Sequence, residues 1–190
     1  MSTVFFDIDT QLDFVFPAGA LYVPGAEGVL ENVARLNHYA KQQGIALIST
    51  VDAHLERDAE FNDWPPHCVA GALGQRKPEA TNVGQIVLNK QSVDCFTIPE
   101  LPALLDQLAA EHCVVYGVVT EICVRHAVFG LLKTGRSVEL VTDAVKSLDE
   151  KAAELMMADF VAAGGRLTTT QAATSGGMGT SFASRQSRSS

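Results

Sequence analysis

Apolar residues in this chain fall into two kinds of run that alternate. Unbroken blocks with the length of strands stand at Val4-Phe5-Phe6, Ile45-Ala46-Leu47-Ile48, Ile86-Val87-Leu88, Val114 to Val119 and Val138 to Val141. Helical spacing lies between them. Val29, Leu30, Val33, Leu36 and Ala40 form one stripe, which Gly44 stops. Leu101 to Ala110 reads as a second helix. Val124, Ala127, Val128, Leu131 and Leu132 mark a third, opening at or near Cys123 and closing at Gly135. Ser147 with Glu150 has the form of a capping box for a helix to about Ala163, and Arg166 to Thr169 suits a last strand. This alternation predicts an α/β fold, a mostly parallel sheet with helices on both faces in three layers. Strands that are continuous apolar runs fit burial on both sides.

Two segments break the rhythm. Residues 55–84 form a long loop carrying Trp64, Pro65, Pro66 and His67, and loops of that length in compact domains are usually functional or disordered. Residues 174–190 are rich in Ser and Gly and read as a flexible tail, leaving one domain over 1–173. At 190 residues and 47% hydrophobic, the chain has enough material for one core. A formal net charge of −8, with no basic cluster before the tail, argues against nucleic acid and anionic membranes as partners. No apolar run is long enough to span a membrane. Asp7 interrupts the first apolar block, so no signal peptide is expected and a cytoplasmic setting is. Cys68, Cys95, Cys113 and Cys123 are widely spaced without a Cys-x-x-Cys pair and read as free thiols.

The polar residues change the picture most. In parallel sheets, chemistry collects at the carboxyl ends of strands. Asp9 and Asp13 follow the first predicted strand, Asp52 and His54 the second, Lys90 the third, Cys123 the fourth and Asp143 the fifth. Taken singly, Asp9 suits a cap or a solvated loop, Lys90 a surface lysine and Cys123 a structural thiol. Asp13 and Asp143 read as loop-ordering groups. His38 and His112 read as exposed helix-end residues, and His126 as a helix-surface one. Taken together, an acid, a lysine and a cysteine on one edge are the parts of nucleophilic catalysis. The start of a helix favours a thiolate at Cys123, and a carboxylate can take its proton and return it to a leaving group. Backbone N–H groups in the turn from Val119 to Cys123 can hold an oxyanion. Asp52-Ala53-His54 and Trp64-Pro65-Pro66-His67 add a carboxylate and two imidazoles, a donor set suited to zinc, iron or manganese with positions left open. The two prolines fix the backbone just before His67.

Three stretches resemble the isochorismatase-like hydrolases: Asp9-Thr10-Gln11-Leu12-Asp13-Phe14, Gly117 to Val124 around Cys123, and Val141-Thr142-Asp143-Ala144. The resemblance runs from residue 3 to about 170. The segments at Asp52 to His54 and Trp64 to His67 are similar to the nicotinamidase branch of that family. The resemblance implies a triad of Asp9, Lys90 and Cys123, and an oxyanion hole from the N–H groups of Val119 and Cys123 beside a cis Val118–Val119 peptide. It implies a divalent metal, zinc first with iron or manganese as alternatives, on Asp52, His54 and His67, and Phe14 and Trp64 on either side of a pyridine ring whose nitrogen the metal anchors. Some members carry a third histidine between the metal segments. This chain has Glu56, Asp58, Glu60 and Asp63 there, and Glu60 resembles the glutamate of other members. A carboxylate ligand tilts preference toward harder metals. Gln91 to Phe96 also departs from the small residues usual after the lysine. The implied reaction is hydrolysis of nicotinamide, with pyrazinamide as a second substrate, in salvage toward NAD by a homo-oligomer. Two readings stay open beside it: another small-amide or ureide hydrolase, and a non-catalytic binding protein on the same fold.

Overall fold

The computed structural model describes residues 2–175. Six strands form one sheet: β1 (Ser2–Ile8), β2 (Ala46–Asp52), β3 (Ile86–Lys90), β4 (Ala110–Val118), β5 (Ser137–Lys146) and β6 (Arg166–Thr168). Their order is β3-β2-β1-β4-β5-β6, and every neighbouring pair is parallel. The chain winds outward from β1 in one direction and from β4 in the other. The switch point therefore lies between β1 and β4, where such sheets place their ligands. The helices are α1 (Leu12–Val15), α2 (Leu30–Gln43), α3 (Leu101–Gln107), α4 (Arg125–Lys133), α5 (Glu150–Ala162) and α6 (Thr170–Ser175). Helix α2 packs with α6 against the sheet, while α4 packs with α5 and against β4 and β5. The central strands are buried on both sides, so Val4, Phe5, Phe6, Ile48, Val114 and Val115 all belong to one core.

Several boundaries differ from the sequence reading. Strand β4 begins at Ala110, ahead of its apolar run, because Glu111 and His112 occupy its exposed end. His112 is thus a half-buried strand residue, with Nε2 3.6 Å from Glu139. Helix α3 stops at Gln107, and Ala109 then takes a left-handed φ of 48° that turns the chain into β4. Helix α5 is capped by Asp149, whose carboxylate accepts from the N–H groups of Lys151 and Ala152, and not by the box at Ser147. Asp143 lies within β5, at an irregularity of its pairing with β4. Helix α6 includes Thr174 and Ser175, the first two residues of the stretch read as a tail; residues 176–190 lie outside the described residues. All four cysteines are free and buried.

Close approach at the switch point needs a particular residue. Gly117 has φ 118°, and a Cβ there would fall 2.1 Å from the Ile8 carbonyl oxygen. Only glycine lets β4 run this close to β1. The peptide between Val118 and Val119 is cis.

Candidate active site

The chain brings four strand ends to this edge. Asp9 leaves β1 with φ 49°, its N–H donating to the Thr50 carbonyl at 3.1 Å. Its Oδ1 accepts from the Thr50 hydroxyl at 2.7 Å, and its Oδ2 lies 2.8 Å from Lys90 Nζ. Lys90 ends β3 opposite Asp52, the last residue of β2. Its ammonium is 2.5 Å from Asp52 Oδ1 and 3.8 Å from Cys123 Sγ. Asp9, Lys90 and Cys123 are all buried. One lysine thus bridges two carboxylates and the thiol.

Cys123 does not open the α-helix. It sits in a π-helical turn, Thr120–Val124, in which the Val119 carbonyl accepts from the N–H groups of both Ile122 and Val124 at 3.1 Å. This turn runs directly into α4 at Arg125, so Cys123 lies near the start of a continuous helical stretch, where the sequence places it. Burial pushes the Cys123 thiol well above its ordinary range, Lys90 opposes this, and the charges of Asp9 and Asp52 add to it. Burial likewise raises the Asp9 carboxyl, against the pull of Lys90. The buried thiol thus lies beside a carboxyl group that burial pushes in the same direction.

Asp52 faces two ways. Oδ1 meets Lys90, and Oδ2 lies 3.9 Å from Nε2 of both His54 and His67. The ring hydrogens of these histidines can be assigned from their partners. His67 Nδ1 is 2.8 Å from the Pro65 carbonyl, which only accepts, so Nδ1 carries the proton. His54 Nδ1 is 3.0 Å from Asp58 Oδ2. With Nδ1 engaged in this way, each ring turns its Nε2 toward Asp52. His54 Nε2 is buried without a hydrogen-bond partner. Two imidazole nitrogens and a carboxylate oxygen, one of them orphaned, fit a divalent cation. Asp52, His54 and His67 form the one such group among the described residues. Glu60 stands outside it, with Oε1 4.0 Å from His67 Nε2. Burial and Asp52 raise its carboxyl above the ordinary range.

A narrow cleft opens on this edge. Phe14, Trp64, Val119, Ile122 and Leu148 supply apolar walls, and Asp52, His67 and Cys123 reach into it. The Phe14 ring lies 5.4 Å from that of His67.

Four residues with structural work here escaped the sequence reading. Gln11 clamps Asp52 by its backbone, accepting from its N–H at 2.7 Å and donating to its carbonyl at 2.8 Å. Thr50 holds Asp9. Phe61 packs its ring 5.3 Å from His54 and 5.7 Å from His67. Asp58 orients His54, and its spacing of four residues from that histidine was the available signal. Asp13 and Asp143 do order loops: Asp13 accepts from the N–H groups of Ala20 and Cys68, and Asp143 from Thr170. The first of these fixes the residue after His67.

Residues 3–172 match the isochorismatase domain family. The chain belongs to that family. Within the isochorismatase fold it superimposes with TM-score 0.84 on the pyrazinamidase of Pyrococcus horikoshii in complex with zinc, at 26% identity, covering 89% of this chain and 99% of that one. It is 24% identical to the nicotinamidase of Escherichia coli K12 over 175 residues, 75% of this chain and 82% of that protein. It is also 24% identical to a probable inactive nicotinamidase of Arabidopsis thaliana over 156 residues, 75% of this chain and 80% of that protein. An isochorismatase-family hydrolase with a candidate divalent-metal group is the result. Among the described residues no helix is long and apolar enough to cross a membrane.

Proposed function

We propose that this protein is a nicotinamidase, hydrolysing nicotinamide to nicotinate and ammonia through a thioester on Cys123. One observation carries the reading: Lys90 touches Asp9, Asp52 and Cys123 at once, so a nucleophile set and a metal-ligand set share one lysine at one cleft. In this reading Asp9 takes the thiol proton as Cys123 Sγ attacks the carboxamide carbon. The N–H groups of Val119 and Cys123 stabilise the oxyanion. Asp9 returns the proton to the departing nitrogen, and ammonia leaves. Water, deprotonated by Asp9, then attacks the thioester, releasing nicotinate and restoring the thiol. Lys90 holds Asp9 beside the sulfur and offsets their like charge. Asp52, His54 and His67 would hold a divalent metal, zinc by preference. When bound, the metal supplies an electrophilic anchor for a pyridine nitrogen. Phe14 and Trp64 supply the apolar faces for the ring.

A flat, neutral substrate suits the cleft, because its walls are largely apolar and the Lys90 ammonium is already shared between two carboxylates. The likeness to an inactive relative favours a second reading, a silent binding protein on the same fold. The close packing of Asp9, Lys90 and Cys123 weighs against it. Ammonia release separates these readings when measured on metal-loaded protein with nicotinamide, pyrazinamide and an anionic ureide such as N-carbamoylsarcosine. The two pyridine-type amides are expected to turn over and the ureide not to. Turnover of the ureide alone refutes the substrate, and turnover of none refutes the enzyme reading.

A further inference from the structure

Asp58 is bound at both of its carboxylate oxygens. Oδ2 takes the Nδ1 hydrogen of His54 at 3.0 Å, and Oδ1 accepts from the Glu60 N–H at 3.0 Å. The second contact caps a 3-10 turn, Ala59–Asn62. That turn carries Phe61, whose ring packs on both histidines, and Glu60, whose Oε1 lies 4.0 Å from His67 Nε2. Its end is tied to the cleft, because the Trp64 N–H donates to the Glu60 carbonyl at 3.0 Å. Trp64 is a cleft wall. From Asp58 a continuous chain of contacts therefore runs both to a metal ligand and to a substrate wall.

We propose that Asp58 is a positioning residue that fixes the metal-binding face of His54 and, through the same carboxylate, ties the metal group to the Trp64 wall. The inference rests on the metal reading above. Its physical basis is the donor inventory. A carboxylate accepts at both ends, so it can orient the His54 ring and cap the turn together. Linkage makes the effect mutual: what holds His54 for the metal also holds the wall, and metal binding stabilises both.

Asparagine separates positioning from capping. It caps a turn about as well as aspartate, but it has one oxygen. With that oxygen on Glu60, its amide donates to His54 Nδ1, and the ring hydrogen moves to Nε2, where it blocks the ligand lone pair. With the amide reversed, the cap is lost. Asp58→Asn is thus expected to keep the metal-free melting temperature and to weaken zinc binding about 10–100-fold, read by competition with a chromogenic chelator. Asp58→Ser, which keeps a cap acceptor but not the reach to His54, is expected to show the same loss and guards against a variant that fails to fold. Trp64 is the sole tryptophan, so its emission reports the wall. Zinc is expected to shift that emission in the native protein, and by less than half as much in Asp58→Asn at saturating zinc. Zinc affinity within twofold of native in both variants, or a full Trp64 response in Asp58→Asn, overturns the proposal. A native protein that binds no zinc overturns the metal reading beneath it, a different and recognisable result.

Discussion

At the scale of single residues, the site works by burial as much as by charge. Cys123 and Asp9 are both pushed up by desolvation; Lys90 opposes this at both, and the Thr50 hydroxyl adds to its pull at Asp9. A buried thiol in this setting needs an adjacent acceptor at the moment of attack, and Asp9 is the group in place. Asp9→Asn is therefore expected to lower kcat about 10²–10⁴-fold while the fold persists. Steady-state ammonia release with a parallel thermal melt checks this, and a kcat within tenfold of native contradicts it. Asp9, Lys90, Cys123, Asp52 and His54 were legible in the sequence because each follows or ends an apolar strand, and His67 because two prolines stand just before it in the long loop. Gln11 was not, because its role lies in what it bonds to, and Asp58 showed only its four-residue spacing from His54. Gln11 reaches Asp52 and Gln75 across the edge, contacts that no local pattern contains.

At the scale of elements, the least foreseen feature is a charged group inside β1. Asp7 is fully buried, accepting from Thr10 Oγ1 at 2.6 Å and Asn37 Nδ2 at 2.8 Å, and paired with Lys77 Nζ at 2.8 Å. Asn37 in turn accepts from Tyr116 Oη at 2.7 Å. The network ties α2, β4 and the loop before β3 to the strand that delivers Asp9. Asp7→Ala leaves Lys77 buried without its counter-charge and is expected to cost about 3–5 kcal/mol. Urea unfolding measures this, and a loss below about 1 kcal/mol contradicts the network's importance. The sequence reading treated Asp7 only as a break in an apolar run, since its cation lies seventy positions away. The strands themselves were easy to read because parallel strands are apolar on both faces. Helix α2 ends at Gly44 with φ 66°, as its periodicity indicates. The 3-10 turns at Ala59–Asn62 and Glu79–Thr81 were hidden, being too short to show a period.

At the scale of the molecule, the sheet order explains why residues so distant in sequence meet. Strands β1 and β4 adjoin at the switch point and carry Asp9 and Cys123; β2 and β3 lie outside β1 and bring Asp52 and Lys90. A net charge of −8 leaves a neutral amide unopposed on entry and disfavours retention of an anionic product. The most direct measurement is ammonia release from nicotinamide by metal-loaded protein, native beside Cys123→Ala. The account predicts steady release from the native enzyme and none above background from the variant. Release from Cys123→Ala at a native rate contradicts the covalent route, and no release from the native protein contradicts the nicotinamidase reading itself.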